Sequence, residues 1–390
     1  MRGSAADRLF PSGVTFERVR PHLARFGITR VARHTGLDKV GIPVWCAYTP
    51  NAKSIVVAQG KGVTDDDART SATMEALERA VGCDPQVRIV ATSIAALEGE
   101  GRRADPLPQL IARGQDLLSP HEVIDWVASS DLSTGETVFV PYEAVTLDRT
   151  RPNNRYWQSS DGLASANTIE EAVYHGLLER IERDAHTLWQ LLKLPKQQAT
   201  CIDPACLGSS DVTRLQQQLA AADLELRLFD ITSDVQVPTF TALLGPAHEI
   251  KANTARYVEV TYGCGTHPAP EQAAVRALTE AAQSRLTYIS GARDDVFREV
   301  FERPLPKRIR ALFDAKPRQI ARPHTSEVLD ATGVLNRLRA VGVHDVFAVS
   351  LNDPDLPFAV VKVLIPGLEN PEGARRQRFG SRAIAKALFA

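Results

Sequence analysis

The sequence predicts an α+β protein in which strands and helices are mixed along one chain. Short runs of β-branched residues indicate strands, and longer amphipathic runs indicate helices. Their order lacks the regular strand–helix–strand repeat of a doubly wound parallel sheet, so the α+β class is favoured. No low-complexity segment or long linker interrupts the 390 residues. We therefore expect a single domain over residues 1–390, with small peripheral elements at about 84–120 and at the N-terminal residues 1–30.

The predicted elements follow one another in short segments. Strands are predicted at 53–59, 136–142, 224–232, 237–244, 256–263, 344–351 and 358–365. Helices are predicted at 65–82, 168–193, 211–222, 270–290 and 327–341. Asn167 and Thr168 supply an N-cap signal before the longest helix, and Pro270 opens the fourth one.

Composition and charge exclude several classes of protein. The chain carries 46 Lys and Arg residues against 47 Asp and Glu residues, so a broad basic surface for nucleic acid is not expected. No apolar run reaches the roughly 18 residues that a membrane helix needs, and residues 1–13 lack the apolar segment of a secretion signal. Five scattered cysteines fit a reducing compartment. We expect a cytoplasmic protein without a nucleic-acid or membrane partner.

An acidic motif occurs twice within the predicted helices. The pattern Glu-x-x-Glu-Arg is formed by Glu75, Glu78 and Arg79, and again by Glu179, Glu182 and Arg183. Residues three apart are neighbours on a helix surface, so each copy places two carboxylates side by side. Glu171 and Asn167 fall on nearly the same helical face as Glu179. The repetition suggests two similar halves that face each other, with internal duplication as a hypothesis.

These carboxylates allow two interpretations. Two solvent-exposed charged helices would explain each copy by itself. However, five carboxylates against two arginines leave an excess of negative charge, and like charges in proximity raise one another's pKa unless a cation neutralises them. Oxygen ligands without thiolate or imidazole partners suit Mg²⁺, which commonly bridges to phosphate groups. A nucleotide is therefore the natural second ligand.

Two further segments could support a phosphate ligand. Lys61 lies in a Gly-Lys-Gly turn before a helix, which is either a simple strand-to-helix connection or an approach to phosphate. The chain has no phosphate-loop motif of the Walker type. Arg276 and Glu280 lie four residues apart in the helix at 270–290, where an ordinary salt bridge also explains them. His267 is interpreted as a turn residue, and the sequence identifies no general base.

Five segments in this order resemble the YcaO family. They are residues 27–45, 60–79, 159–185, 263–295 and 363–369. The first of them, GITRVARHTGLDKVGIPVW, is most similar to the branch of the family that works with a TfuA protein. The resemblance implies a YcaO-type fold with two pseudo-repeated halves around a central site for Mg²⁺ and nucleotide. It also implies ATP-dependent chemistry on a peptide backbone amide, in which the amide oxygen is phosphorylated and replaced.

The same resemblance assigns roles to residues that match the family's motifs. Implied metal ligands are Glu75, Glu78, Glu171, Glu179 and Glu182. Implied nucleotide-binding residues are Lys61, Ser71, Arg79, Asn167, Arg183, Arg276 and Glu280. The cofactors would be ATP and Mg²⁺, and no catalytic acid or base is assigned.

The end of the sequence bears on the reaction product. The chain ends in RFGSRAIAKALFA and lacks the proline-rich tail of many azoline-forming relatives, which favours the TfuA-associated branch and thioamide formation. The expected partners are then a TfuA-like protein, a peptide or protein substrate and a sulfide source, with a homodimer possible. Azoline formation on Cys, Ser or Thr and a non-catalytic nucleotide-binding scaffold are the alternatives.

Overall fold

The computed structural model of the protein describes residues 8–151, 154–319, 329–370 and 379–389. Its strands are β1 Arg30–Arg33, β2 Val44–Tyr48, β3 Val57–Lys61, β4 Ile89–Thr92, β5 Arg103–Ala104, β6 Ile124–Asp131, β7 Thr137–Pro141, β8 Leu163–Ala166, β9 Cys201–Ile202, β10 Leu224–Asp230, β11 Thr239–Pro246, β12 Thr261–Thr266, β13 Phe347–Ser350 and β14 Ala359–Leu364. They form a three-stranded sheet of order β1-β2-β3, a four-stranded sheet of order β12-β11-β10-β9, and a seven-stranded sheet of order β5-β7-β6-β13-β14-β8 in which β4 also pairs with β6. All pairings are antiparallel except that of β5 with β7.

Helices pack on each of these sheets. The predicted α+β class is confirmed. The α-helices are α1 Ser12–Val19, α2 Asp65–Cys83, α3 Ile94–Gly99, α4 Tyr142–Val145, α5 Ile169–Gln190, α6 Leu194–Gln198, α7 Ser210–Ala221, α8 Ala247–Ala252, α9 Pro270–Ser290, α10 Arg298–Phe301, α11 Lys307–Leu312, α12 Ala331–Ala340 and α13 Ser381–Phe389. The five predicted helices are confirmed as α2, α5, α7, α9 and α12, with ends within about four residues. Positions 327 and 328 of the last prediction lie outside the described residues.

Two strand predictions are wrong in their limits. The strand predicted at 53–59 begins only at Val57, since the residues before it form a turn. The strand predicted at 256–263 begins at Thr261, because Tyr257–Glu259 is a short 3-10 helix. Arg256 caps that helix: its backbone N–H donates to a Glu259 carboxylate oxygen at 2.8 Å, and its guanidinium pairs with the other oxygen at 2.7 Å.

Three strand–helix units are arranged around a common centre. The edge strand β3 leads into α2, β8 leads into α5, and β12 leads into α9. Each helix packs on its own sheet and also on the strand that begins the next unit, so α2 contacts β8, α5 contacts β12 and α9 contacts β3. The two helices with the repeated acidic motif belong to the first two units, and α9 extends the arrangement to a third. Internal duplication of the sequence stays a hypothesis.

Glycines allow two of these helices to lie unusually close to their strands. A Cβ atom on Gly60 of β3 would lie 2.0 Å from the backbone nitrogen of Ala72 in α2. A Cβ atom on Gly263 of β12 would lie 2.2 Å from the backbone nitrogen of Ala281 in α9. Real side chains do not tolerate such distances, so these strands touch the helix backbones directly. The backbones of β3 and β12 are thereby held against the backbones of α2 and α9.

The segments predicted to be peripheral contribute to the fold in different ways. Within 84–120, β4 pairs with β6 and α3 buries Leu97 against Trp126. Within the N-terminal 30 residues, α1 packs against α2, and the Thr15 hydroxyl donates to the Asn167 side-chain oxygen at 2.9 Å. The single-domain division stays a prediction.

The cysteines and the helix hydrophobicity bear on two other expectations from the sequence. None of the five cysteines is disulfide-bonded, and four of them are buried. Within the described part of the chain, no helix has both the length and the apolar character required to span a membrane.

Candidate functional site

The acidic residues of α2 lie at the centre of the three units. Arg79 donates from Nε to Oε1 of Glu75 at 2.9 Å, which compensates the charge of Glu75 within its own helix. Glu78 accepts a hydrogen bond from the Ser165 hydroxyl of β8 at 3.2 Å. Burial raises the pKa of Glu78 well above its ordinary value, and the charges of Glu179 and Glu75 raise it further. The two predicted acidic helices therefore face each other.

On α5, Glu179 is held from two sides. The backbone N–H of Gly162 donates to its Oε2 at 3.1 Å, and Arg183 lies 3.4 Å from its Oε1. Burial raises the pKa of Glu179 and Asp161 adds to this, while Arg183 opposes it. One turn later, burial and the charge of Glu280 raise the pKa of Glu182 to about 7. Burial therefore makes the ionised forms of Glu179 and Glu182 energetically unfavourable.

The third unit brings its own charged pair to the same place. Lys61, at the end of β3, forms an ion pair with Glu280 of α9, 219 residues away in the sequence. Burial opposes ionisation of Glu280, but Lys61 and Arg183 outweigh it and lower its pKa. The sequence interpretation of Glu280 as a partner of Arg276 is thus incomplete, because its cation in the structure is Lys61. Arg276 donates to the Thr266 carbonyl at 3.2 Å.

The remaining predicted residues lie around this centre. Asn167 donates from its side-chain amide to Glu171 at 3.2 Å, and these two residues precede Glu179 by two or more turns of α5. The Thr168 hydroxyl caps the helix by accepting the backbone N–H of Glu171 at 3.2 Å, as the N-cap signal predicts. Ser71 is half-buried on α2, one turn before Glu75. Their assignment as ligand-binding residues stays a prediction.

No ready-made metal centre is formed by these side-chain conformations. Among the described residues, no three His, Cys, Asp or Glu side chains lie close enough together to hold a metal ion. The physical reason is that Arg79, Arg183 and Lys61 each draw one carboxylate toward themselves. A cation would therefore have to displace or share these partners when it binds.

The charge balance nevertheless fits a divalent cation. Within the described ranges, neither Glu78 nor Glu182 forms an ion pair, and both have raised pKa values because they are buried among other carboxylates. The side chains of Glu75, Glu179 and Glu280 keep 24–29 % of their surface exposed, so a ligand can reach them. Carboxylate oxygens are the ligands that Mg²⁺ prefers. Lys61, Arg79 and Arg183 would then face the phosphates of a bound nucleotide.

The sequence analysis missed the layer beneath these carboxylates. Lys362 of β14 donates to the carbonyls of Ser159 and Asp161 at 2.6 and 2.8 Å. Arg180, which is 2 % exposed, donates to the carbonyls of Leu368 and Glu369 at 3.4 and 3.3 Å. A signal for Lys362 was available, since a lysine interrupts an apolar run that was itself predicted to be a strand.

Two of the described histidines, His186 and His267, make structural contacts. Burial lowers the pKa of His186 to about 4, and the charge of Arg183 lowers it in the same direction, so this imidazole is neutral at pH 7. It stacks on Trp189, with ring centroids 6.3 Å apart. His267 accepts the backbone N–H of Ala269 at 2.9 Å, which confirms its interpretation as a turn residue.

Fold and site together define a class: an α+β protein whose acidic centre suits a divalent cation and phosphate groups. The chain belongs to the YcaO family, described as cyclodehydratases that bind ATP and Mg²⁺, which its sequence matches over residues 59–369. The expected cofactors, ATP and Mg²⁺, are those of the family and are confirmed at that level.

Two relatives support this membership. The chain is 37 % identical over 393 residues to an uncharacterized protein in the tfuA 3′ region of Rhizobium leguminosarum bv. trifolii, covering 97 % of this chain and 92 % of the relative. It is 34 % identical over 366 residues to an uncharacterized protein of Methanothermobacter thermautotrophicus, covering 89 % and 91 %. The first relative supports the TfuA-associated branch.

Solved structures confirm the YcaO-type fold. The YcaO structure from Methanopyrus kandleri bound with AMPPCP and Mg²⁺ matches with a TM-score of 0.73 at 23 % identity, covering 93 % of both chains. A heterocyclase in complex with substrate and cofactor matches with a TM-score of 0.76 at 20 % identity, covering 93 % of this chain. The present chain spans 53 % of that heterocyclase's length.

Proposed function

We propose that the protein activates a peptide backbone amide at the expense of ATP and converts it into a thioamide. The observation that carries the proposal is the meeting of carboxylates from α2, α5 and α9 with Lys61, Arg79 and Arg183 at one centre. ATP with Mg²⁺ would supply a phosphoryl group to the amide oxygen, so that a sulfur nucleophile can replace that oxygen as phosphate.

The chain's own residues would position and neutralise the reacting groups. Glu78, Glu179 and Glu182 carry uncompensated or costly charge, so they are the strongest candidates for cation ligands, with Glu75 and Glu171 beside them. Arg183 would be released from Glu179 toward phosphate oxygens if a cation took over that carboxylate, and Lys61, paired with Glu280, would be a second cation for the phosphates. Catalysis of this kind depends mainly on positioning and electrostatic stabilisation.

The thioamide product rests on the relative from a tfuA region. A TfuA-like protein is accordingly proposed as the partner that delivers sulfur from a sulfide source, and the substrate is a peptide or protein. A homodimer and a cytoplasmic location, both expected from the sequence, stay predictions.

The decisive experiment is mass spectrometry of candidate peptides incubated with the enzyme, a TfuA-like partner, ATP, Mg²⁺ and sulfide. We expect one oxygen to be exchanged for sulfur, and we expect the exchange to require ATP, sulfide and the partner. If the sulfide is labelled with a heavy sulfur isotope, the label should appear at the modified amide of the product. A modified peptide that contains no added sulfur would refute the thioamide assignment.

Azoline formation is the second candidate, because the family is described as cyclodehydratases and a heterocyclase shares the fold. In that reaction a Cys, Ser or Thr side chain attacks the preceding amide carbon, and the peptide loses one water. The same mass measurement separates the two reactions. Water loss in reactions without sulfide or partner protein would favour this candidate.

A further inference from the structure

A buried lysine lies directly behind the acidic centre. Lys362 lies on β14 and is 3 % exposed. Its ammonium donates to the carbonyls of Ser159 and Asp161, at 2.6 and 2.8 Å. The two carbonyls lie in the turn Ser159–Gly162 that precedes β8, and we call this segment the support turn. Lys362 therefore fixes the support turn from beneath.

The support turn in turn contacts two residues of the predicted ligand site. The backbone N–H of Gly162 donates to Glu179 at 3.1 Å. The Asp161 carboxylate lies 3.5 Å from Nε of Arg183. Movement of the turn would thus displace a carboxylate and a guanidinium that are both assigned to the cation–nucleotide site. The chain of contact runs from Lys362 through the turn to Glu179 and Arg183.

The turn is also fixed against the strand that carries the lysine. Val363 of β14 donates its backbone N–H to the Gly162 carbonyl at 2.7 Å. Gly162 has φ of +76°, and a Cβ atom there would lie 2.1 Å from the Val363 carbonyl oxygen. Only glycine satisfies both conditions. The turn therefore lies directly against the backbone of β14, and Lys362 adds two further hydrogen bonds between them.

The positive charge of Lys362 lies near the carboxylates of Asp161 and Glu179. Burial lowers its pKa to about 8, while Asp161 and Glu179 act in the opposite direction and favour the ammonium form. A neutral side chain would avoid the cost of burying an ammonium group, yet it would leave those carboxylates without this nearby positive charge. The adjoining cavity, lined by Asp161, Arg180 and Lys362, is about 20 Å³, enough for one water and too small for a ligand.

We propose that Lys362 is a positioning residue for the cation–nucleotide site: through the support turn it sets the orientation of Glu179 and Arg183. This inference rests on the proposed function, because it concerns the same site. The competing interpretation is that Lys362 only stabilises the fold, as any buried side chain of β14 does.

The test is calorimetric titration of the full-length protein with AMPPCP in the presence of Mg²⁺. We expect Lys362→Met to weaken binding at least about 10-fold, as loss of a residue that orients metal ligands commonly does. Val360→Ala is the matched control, since Val360 is a fully buried neighbour on the same face of β14 and its apolar side chain makes no hydrogen bond to the support turn. It should lower the thermal unfolding temperature while affinity stays within about twofold of wild type.

The outcomes separate this inference from the proposed function. If Lys362→Met lowers the unfolding temperature but binds Mg²⁺–AMPPCP as wild type does, the positioning role is refuted and the function stands. If wild type itself does not bind Mg²⁺–AMPPCP, the proposed function falls and the positioning role falls with it. Should Lys362→Met fail to fold, Lys362→Gln retains a hydrogen-bond donor without the charge. Wild-type affinity in folded Lys362→Gln would equally refute a role for the ammonium group.

Discussion

Glu179 interacts with three other residues at the candidate site. It accepts from Gly162, faces Arg183, and raises the pKa of Glu78 across the gap between α5 and α2. A negative charge that is buried among others costs folding free energy, and a bound cation would remove that cost. This residue is therefore the best single probe of whether the site binds a cation.

Glu179→Gln removes the charge and keeps the size of the side chain. We expect ATP turnover to fall on the order of 100-fold, because Glu179 would hold the cation whose charge stabilises the transition state. The measurement is release of phosphate from ATP in the presence of substrate. Glu170→Gln is the matched control, because Glu170 is an exposed residue on the first turn of the same helix. Unchanged turnover in Glu179→Gln would favour a non-catalytic scaffold.

Glu182 predicts a pH dependence of cation binding. Its pKa is raised to about 7 in the folded protein, so its charge costs folding free energy once the pH rises above the ordinary carboxyl value toward 7. Bound Mg²⁺ would remove that cost, and below about pH 7 protons would compete with the cation. Affinity for Mg²⁺–AMPPCP should therefore increase from about pH 6 to about pH 8, and calorimetry should show proton release. Glu182→Gln should bind more weakly and lose much of this pH dependence.

At the scale of elements, the helices were more predictable than the strands. The positions of α2, α5 and α9 were predicted, with start signals for α5 and α9, and so were the acidic faces of α2 and α5. The strand predicted at 256–263 was misplaced because an Arg256–Glu259 pair folds its beginning into a helical turn. Local pattern cannot show such a competition between a side chain and the strand.

The strand–helix contacts at glycines could not be predicted either. A glycine in a strand indicates close approach of another backbone but does not name it. In the structure Gly60 meets α2, and a methyl group there would clash with the backbone at Ala72. The lysine within an apolar strand did signal a buried charge at Lys362, but its partners could not be predicted, since they are backbone carbonyls 201 and 203 residues away.

Gly60→Ala tests the packing of β3 on α2. The added Cβ would lie 2.0 Å from the Ala72 nitrogen, so strand and helix must separate. We expect the free energy of unfolding in urea to fall by about 3 kcal/mol, at the upper end of overpacking effects. Gly99→Ala is the control, because nothing lies within 4 Å of a Cβ atom there. It should change stability by less than about 0.5 kcal/mol. Equal stability of the two variants would contradict the close contact.

For the whole molecule, the C-terminal helix is joined to α5 by a buried ion pair. Arg382 of α13 donates to both carboxylate oxygens of Asp184 at 2.9 Å, and the Asp184 side chain is fully buried. Arg382 also contacts Asp234 at 2.5 Å. Asp184, which follows Arg183 on α5, thus anchors α13. The site helix is supported from this side as well.

Arg382→Met removes the guanidinium and leaves the buried Asp184 carboxylate without its ion-pair partner. We expect the free energy of unfolding to fall by about 3 kcal/mol, as is common when one partner of a buried pair is removed. Chemical denaturation provides the measurement. Arg298→Met is the matched control: its pair with Glu302, at 2.9 Å, is exposed on both sides, and its loss should cost less than about 1 kcal/mol. Similar losses in the two variants would show that α13 is not anchored this way.

The circular packing of α2, α5 and α9 has a consequence for the order of folding. Lys61 emerges early during synthesis and Glu280 more than two hundred residues later, so the three units can close on one another only after most of the chain exists. Contacts between distant segments form slowly because the loop must first be ordered. The repulsion between Glu182 and Glu280 consequently arises only when α9 closes on α5. A magnesium nucleotide present at that moment would serve as a template that draws the last unit into place, so refolding should be faster with the ligand than without it.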